Sequence, residues 1–247
     1  MERKEPAATA AALERWATLP EGDEERYVGY GVMAAPFASG DLLAMRRFTV
    51  SSVGKGYTSV WHRTPAGEWT LYADAPPLLS CARYLGSAVA HAVETSILLS
   101  WPGPRRMEIV VPAADLSWSV DLEQSGITRS MNALARSMTD RMWRDPRVLA
   151  MMSRVAAKVL HAGRLQLSGR LPNGQWFIAN PKEMWLIRSS HAVIAGRDLG
   201  ELAPLAEQTR LGDFWIPQRG LFAFARAFFE PLDLARHAPE EAPAPAP

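Results

Sequence analysis

The chain changes its hydrophobic period three times, and the order of those changes predicts its elements. Residues 7–19 form an Ala-rich stretch with large apolar residues at spacings of three, which predicts one helix. Residues 26–122 alternate between apolar and polar positions, with Pro and Gly clusters between the runs, which predicts strands. Residues 130–161 return to helical spacing, and residues 165–229 return to strands. The order is therefore helix, strands, helices, strands.

Some short runs within this pattern give specific strand predictions. We assign strands to residues 80–85 and 88–99 in the first β region. In the second β region we assign separate strands to residues 176–179, 183–187 and 192–194. Turn residues every eight to twelve positions or so are typical of sandwiches and barrels.

The helical middle divides into two helices. Residues 130–143 carry apolar residues at helical intervals, and Asp145-Pro146 then supplies an N-cap and a first-turn proline. The second helix should end at Gly163. Five methionines lie in this region, at positions 131, 138, 142, 151 and 152. Such a surface can repack around varied partners, or it can simply fill the core against the sheet.

One short phrase occurs twice, as RTPAGEW at residues 63–69 and as RLPNGQW at residues 170–176. Pro suits the first corner of a tight turn and Gly supplies the positive φ that the next corner needs. Trp then opens the returning strand, where a large ring covers the pleated surface. Each phrase therefore predicts an antiparallel hairpin.

Together these elements predict a mainly β fold, an antiparallel barrel or sandwich of two related halves with an inserted helical pair and an N-terminal helix. A parallel sheet would need a helix after nearly every strand. We expect five segments: residues 1–25 (helix and lead-in), 26–125 (first β half), 126–163 (helical insertion), 164–232 (second β half) and 233–247 (a disordered Pro/Ala-rich tail).

The amino-acid composition limits the classes of partner and the cellular compartment that we expect. Lys plus Arg total 27 against 26 for Asp plus Glu, so no net field attracts nucleic acid. The single cysteine, Cys81, excludes an internal disulfide and fits a reducing compartment. It is either an inert core residue or a thiol activated by the neighbouring Arg83. No signal peptide and no membrane span is recognisable, so we expect a cytoplasmic protein.

The common catalytic and cofactor motifs are missing. The five histidines are scattered without metal-ligand spacing, no glycine-rich phosphate loop follows a strand, and there is no Gly-x-Ser-x-Gly elbow. We therefore expect no metal and no other cofactor.

The strand over residues 57–63 carries the first candidate site. Alternation places Tyr57, Ser59, Trp61 and Arg63 on one face and His62 on the other. Polar groups among aromatic ones are typical of a ligand-cavity wall, although a solvated strand has the same alternation.

Two further candidates come from arginines. Arg46 and Arg47 are adjacent in a predicted strand, so one guanidinium must point inward unless the strand lies at an edge. An inward guanidinium would need a carboxylate, for which Glu94 is the candidate, or a bound anion, whereas at an edge both arginines would reach water, which is the alternative that we favour. We include Arg47 among the candidate ligand-binding residues. Gln218 and Arg219 form a corner before the last strand, where they either line a barrel mouth or close the turn.

The two-halved β plan, the hairpins at residues 63–69 and 170–176 and the Trp-rich strands resemble lipocalin-like proteins of the AttH and carotenoid-hydratase type. That resemblance implies two barrel-like halves that bind hydrophobic molecules, often isoprenoids or polyketides. The chain is shorter than such proteins and its helical pair is not part of their pattern, so no functional residue is carried over.

Three functions stay open at this stage. The first is binding of a hydrophobic, isoprenoid- or polyketide-like molecule in a β-barrel cavity. The second is an enzyme, a hydratase, cyclase or isomerase, that uses His62 or Glu94 as acid or base. The third is a protein-interaction module that acts through the Met-rich helices. A homodimer is compatible with all three.

Overall fold

The fold is built around one curled sheet of twelve strands. The computed structural model describes residues 5–237, without the side chain of Ser87. The twelve strands are β1 (Glu25–Pro36), β2 (Leu42–Ser51), β3 (Tyr57–Arg63), β4 (Trp69–Ala73), β5 (His91–Glu94), β6 (Leu98–Gly103), β7 (Arg106–Val111), β8 (Leu116–Glu123), β9 (Ser168–Arg170), β10 (Trp176–Ile194), β11 (Arg197–Asp198) and β14 (Leu221–Phe229). A separate short pair consists of β12 (Arg210–Leu211) and β13 (Phe214–Trp215). The predicted mainly β fold is confirmed, and the sheet curls into a half-barrel.

The order of strands across the sheet is β5-β4-β3-β2-β1-β14-β10-β8-β7-β6, with β9 and β11 paired to β10. Every neighbouring pair along this path is antiparallel except β4 and β5, which run parallel. Strands β2 to β5 lie on one side of β1, whereas β6 to β8 join the far side through β10. Residues 26–125 therefore supply strands to both ends of the sheet.

The helices are α1 (Pro6–Trp16), α2 (Ala82–Leu85), α3 (Gly126–Ser137) and α4 (Pro146–Leu160), with single 3-10 turns at Pro77–Leu79, Gly86–Ala88, Pro112–Ala114 and Met142–Arg144. The predicted cap at the start of α4 is present, because the Asp145 carboxylate accepts from the backbone N–H of Arg147 at 2.8 Å. In the described part of the chain, no helix has the length and apolar character needed to cross a bilayer.

Three strand predictions were wrong. Residues 88–99 are not one strand, because they divide into the end of a 3-10 turn, β5 and the start of β6. Residues 80–85 form a turn and α2 instead of a strand, because a six-residue apolar run fits either period and the preceding prolines start a 3-10 turn. The runs at 176–179, 183–187 and 192–194 are one strand, β10, which continues through Pro181 by a register shift against β14. A bulge lets a strand continue past a residue that cannot donate to the ladder.

Both repeated phrases fold as antiparallel hairpins. Arg63 pairs with Trp69, and Arg170 pairs with Trp176. In the first turn the N–H of Gly67 donates to the carbonyl of Thr64, and in the second the N–H of Gly174 donates to the carbonyl of Leu171. The two glycines have φ values of +95° and +89°, the left-handed region in which a Cβ is strained. The same phrase thus produces the same turn in two places.

Each face of the sheet carries its own layer of buried side chains. The Trp118 layer includes Tyr30, Leu43, Met45, Val60, Trp118, Trp185, Phe222 and Phe224. The Trp61 layer includes Tyr27, Leu42, Ala44, Tyr57, Trp61, Trp69, Leu71, Tyr84 and Leu85. Successive residues of β2 alternate between the two layers, as the pleat requires. Both faces are therefore covered, and a space between the sheet and its cover can be dry.

The predicted tail at 233–247 lies mostly outside the described residues, which end at 237. Residues 233–237 form a turn in which the N–H of His237 donates to the Asp233 carbonyl at 2.7 Å. His237 is buried and lies near Glu230. These residues of the predicted tail form a local turn, and the rest of that prediction lies outside the described residues.

Candidate functional site

A cavity of about 110 Å³ lies in the Trp61 layer, between the sheet and its cover. Its sheet side is built by β1, β2, β3, β10 and β14, and its cover by α2, Cys81, Leu171 and Phe214. Aromatic rings form much of the wall: Tyr27, Phe48, Tyr57, Trp61, Tyr84, Phe177, Phe214 and Phe229. An apolar, aromatic lining with a few polar groups is the usual character of a small-molecule site.

Small residues on three neighbouring strands make the space. Gly29 on β1 pairs with Ala225 on β14, and Ala179 on β10 pairs with Ala227 on β14. All four line the cavity. Because β14 alternates Phe with Ala over residues 222–225, the rings of Phe222 and Phe224 fill the Trp118 layer, while the methyl groups of Ala223 and Ala225 leave room on the opposite face. Interiors otherwise pack closely, so this run of small side chains is the local reason for the cavity.

Arg46 is the most unusual group on the cavity wall. Its side chain is buried, and its Cζ lies 4.7 Å from the centroid of the Trp61 ring, within cation–π range. Nη1 donates to the carbonyls of Val32 and of Met45, the latter at 2.9 Å, and Nη2 donates to the carbonyl of Met33 at 3.4 Å. These carbonyls lie where the register of β1 shifts, so the guanidinium satisfies acceptors that the ladder leaves free.

The charge of Arg46 has no counter-ion in the described part of the chain. Its partners there are backbone carbonyls, and no described carboxylate lies within 4.0 Å of it. Burial lowers the pKa of Arg46 to about 10, which still leaves the guanidinium protonated at neutral pH. A buried charge is ordinarily paired, because leaving water costs several kcal/mol or so per ion. The cavity therefore carries an uncompensated positive charge.

A short polar chain runs beside this guanidinium. Trp61 Nε1 donates to Ser59 Oγ at 3.1 Å, and Ser59 Oγ lies 3.4 Å from Cys81 Sγ. The Tyr57 hydroxyl lies 3.3 Å from the same sulfur. Burial raises the pKa of the Cys81 thiol and holds the pKa of Tyr57 well above its ordinary value. These groups act as neutral hydrogen-bonding partners at pH 7.

A cluster of hydrogen-bonded polar side chains lies at the far end of the cavity. The Tyr84 hydroxyl donates to Glu25 at 2.5 Å and lies 2.7 Å from the Tyr27 hydroxyl, while Tyr84 stacks on Phe229 at 4.1 Å. Arg83 pairs with Glu25 at 2.5 Å, so it is engaged away from Cys81. These contacts pin α2 to the sheet and thereby hold the cover of the cavity in place.

The structure brings part of the predicted ligand-binding face together. Tyr57 and Trp61 line the cavity, and Ser59 lies behind them in the polar chain just described. Arg63 lies at the hairpin, where its Nη1 donates to the Thr64 carbonyl at 3.2 Å. Arg47 points to the other face and pairs with Glu14 of α1 at 2.8 Å. Arg46, and not Arg47, is the member of that pair that reaches the cavity.

The other predicted residues lie elsewhere. Gln218 exchanges hydrogen bonds with the backbone of Leu205, at 3.0 and 2.9 Å, and Arg219 donates to the Leu160 carbonyl at the end of α4 at 3.1 Å. Both hold turns together, as in the turn-closing interpretation. Neither lines the cavity.

His62 and Glu94 are also distant from the cavity. His62 is buried on the opposite face of β3, with Nε2 at 2.8 Å from an Asp41 oxygen. Glu94 is exposed on β5 and does not reach Arg46, so the expected Arg–Glu94 pair is not formed. Alternation along β3 puts His62 on the face opposite Trp61. Glu94 is distant because β5 joins the sheet at the far edge of β4, which only the fold could show.

The helical pair exposes several apolar side chains. Ile127, Leu134, Met142, Met151 and Val155 are each more than 40% exposed. Their opposite faces pack on the sheet through Met131, Met138 and Met152. Three of the five methionines therefore fill the core, while Met142 and Met151 remain accessible.

Sequence reasoning raised both arginines of β2 but took Arg47 instead of Arg46 as the ligand-binding residue, and it missed the small-residue floor. Arg46 could have been found from its parity, because it shares the face of Leu42 and Ala44 in a strand whose two faces are both apolar. The floor could have been found from the Phe-Ala-Phe-Ala run at residues 222–225. A strand with large residues on one face and only small ones on the other leaves space on the second face.

Comparisons with known proteins give only distant likenesses. No protein-family model matches the chain, and no curated protein sequence matches it significantly. Among solved structures, an acetoacetate decarboxylase from Legionella pneumophila is similar with a TM-score of 0.41 and 9% identity, covering 87% of this chain and 88% of that one. A protein provisionally assigned as AttH from Nitrosomonas europaea gives a TM-score of 0.27 and 10% identity, covering 84% of this chain and 51% of that one. These are resemblances of fold only, and no residue role is taken from them.

Proposed function

We propose that the protein binds a small, mainly apolar molecule in the cavity of the Trp61 layer. The observation that carries the proposal is a space with an aromatic wall, containing Tyr57 and Trp61, above a floor of Gly29, Ala179 and Ala225. Filling such a floor with larger side chains would be the ordinary way to stabilise a core, and an unfilled apolar space favours a ligand.

The size of the cavity restricts the ligand. An engineered apolar cavity of roughly 150 Å³ can hold benzene. The present cavity, at about 110 Å³, matches a ligand of about one ring or a short chain. A longer isoprenoid or polyketide chain, as the sequence resemblance implies, would enter only if the cover formed by α2 and Phe214 moved outward.

Binding is favoured over catalysis by the ionisable groups at the cavity. Acid–base chemistry works best with a group whose pKa lies near the working pH. Burial moves the pKa values of Tyr57 and Cys81 upward, away from neutrality, and Arg46 keeps its proton at pH 7. The two residues considered for such chemistry, His62 and Glu94, do not line the cavity.

The proposal is tested with toluene as an apolar probe of one ring. Ligand-observed NMR should detect toluene binding to the purified protein. Ala225→Leu places a larger side chain in the floor and should abolish the signal, while Ala113→Leu adds the same atoms at an exposed turn and should leave it unchanged. Trp61→Ala removes part of the wall and should weaken binding. Equal binding by the wild type and Ala225→Leu would place the toluene elsewhere and contradict the proposal.

A second experiment looks for the natural ligand. Protein purified from its native host is denatured, and the extract is examined by mass spectrometry. We expect a stoichiometric small molecule from the wild type and none from Ala225→Leu. An empty extract, together with no NMR signal and no thermal stabilisation by toluene, would refute a binding role.

A further inference from the structure

We infer that the ligand of this cavity is a small apolar monocarboxylic acid, bound as its anion, with the carboxylate paired to Arg46. This inference rests on the proposed binding function and adds a chemical class to it. It comes from the combination of a mainly apolar cavity with one buried cation that the described part of the chain does not neutralise.

The hydrogen bonds of Arg46 leave one edge of its guanidinium open. Arginine has five N–H donors in a planar fork. Both hydrogens of Nη1 are used by the carbonyls of Val32 and Met45, and one hydrogen of Nη2 is used by Met33. Among the described residues no acceptor contacts Nε. Nε and the remaining Nη2 hydrogen together form the pair that binds a carboxylate with two parallel hydrogen bonds.

The surroundings of Arg46 favour a monoanion over a neutral ligand. Backbone carbonyls solvate the guanidinium but bring no negative charge, and the ring of Trp61 contributes only a weak cation–π attraction. In a low-dielectric setting a carboxylate would therefore be attracted strongly. The polar chain of Ser59 and Cys81 supplies further neutral contacts near the same point. The rest of the wall is aromatic or aliphatic, which suits an apolar remainder of the ligand.

Arg226 on β14 borders the cavity through its backbone and provides a control, because its side chain points to the face opposite those of Ala225 and Ala227. It differs from Arg46 in two respects. About a third of its side chain is exposed, and its Nη1 lies 3.5 Å from a carboxylate oxygen of Asp140. An exposed, paired arginine gains little from a further anion. The inference therefore assigns the anion to Arg46 and none to Arg226.

The test compares acids with amides of the same shape. Benzoate with benzamide, and butanoate with butanamide, are titrated into the wild-type protein by calorimetry at pH 7. We expect each acid to bind at least about tenfold more tightly than its amide, the range expected for a hydrogen-bonded charge. Arg46→Met should remove the preference by weakening the acids at least about tenfold while changing the amides little. Arg226→Met should leave the preference intact.

The outcomes separate this inference from the proposed function. Binding of toluene and the amides as tight as that of the acids, in the wild type, would overturn the carboxylate assignment and leave apolar binding standing. Loss of the preference in Arg226→Met would likewise overturn it. The acid–amide comparison in the wild type needs no variant, so it decides the matter even if Arg46→Met fails to fold. Arg46→Lys keeps the charge and loses the fork, so it should bind the acids more weakly.

Discussion

Arg197 donates two hydrogen bonds to the carboxylate of Asp41, from Nη1 to Oδ2 at 2.7 Å and from Nη2 to Oδ1 at 3.0 Å. Asp41 lies between β1 and β2, whereas Arg197 opens β11 on the other side of the molecule's central strands. His62 completes the group at 2.8 Å from Oδ1. One fully buried carboxylate thus ties three separate segments together.

We expect Asp41→Asn to destabilise the fold by on the order of 2 kcal/mol, because it removes a fully buried charged acceptor from Arg197 and from the buried His62. Burial works to raise the pKa of Asp41, but the hydrogen bonds from Arg197 and His62 outweigh it and bring the pKa to about 2. Since the folded pKa lies below the ordinary value of 3.8, the stabilisation is complete above pH 3.8 and is lost as the pH falls towards 2.

The measurement is urea unfolding of the wild type and Asp41→Asn between pH 2 and 7. The difference between the two should be largest near neutrality and should shrink in acid. Arg106→Gln removes an exposed arginine that pairs with Glu108 and Asp121, and it should change stability by less than about 1 kcal/mol. A wild-type-like stability of Asp41→Asn at pH 7 would be incompatible with the role given to this carboxylate.

A buried asparagine should determine how firmly the helical pair is attached. The side chain of Asn132 donates to the Met184 carbonyl at 2.9 Å and accepts from the Met184 N–H at 2.8 Å. Asn132→Ala leaves both backbone groups of β10 without these partners and should cost about 1–3 kcal/mol. Hydrogen exchange at the Met184 amide should accelerate. Ser130→Ala, on the exposed side of α3, is the control, and equal exchange in the two variants would contradict the expectation.

The two turn glycines should be costly to replace. Gly67→Ala and Gly174→Ala force an alanine into the left-handed region, at a cost of about 1–2 kcal/mol each. Gly103→Ala is the matched control, because Gly103 has no positive φ and its added Cβ would meet Arg106 at 3.6 Å. In thermal unfolding, Gly103→Ala should have a midpoint close to that of the wild type, and the two turn variants should have lower ones. If all three variants were equally stable, the shared turn geometry would not require glycine.

The lone cysteine should react slowly. Burial raises the pKa of the Cys81 thiol, and each further unit of pKa reduces the thiolate about tenfold at a given pH. We expect Ellman's reagent to modify Cys81 at least about tenfold more slowly in the folded protein than in urea. Benzoate should slow it further, since Cys81 lines the cavity. Ala113→Cys in a Cys81→Ser background provides an exposed thiol, which benzoate should not protect.

The features of this fold that depend on a few neighbouring residues could be predicted from the sequence. The hairpins at residues 63–69 and 170–176, the Asp145 cap and the face assignment of β3 follow from turn residues, capping and parity, and the structure has all of them. The short run at residues 80–85 was misassigned, because over six residues packing decides between helix and strand.

The site depended on contacts that no local pattern contains. Phe214 and α2 cover the cavity from positions more than a hundred residues apart in the sequence, so their meeting follows from strand order alone. The choice between Arg46 and Arg47 turned on which face of β2 receives α1, where Glu14 binds Arg47. The predicted pair of Arg46 and Glu94 is not formed, because β5 lies at the edge of the sheet beyond β3 and β4, and no local pattern gives that position.

The pairing of β1 with β14 has a consequence for how the protein is made. Glu25 is registered against Phe229, so β1 leaves the ribosome long before its partner β14 is synthesised. Until then β1 and β10 each present a free edge, and such edges invite pairing with other nascent chains. The floor of the cavity is likewise missing, because Ala223, Ala225 and Ala227 arrive with β14. A ligand can therefore engage the cavity only after β14 has been synthesised, and in doing so it would draw late-folding molecules towards the native state.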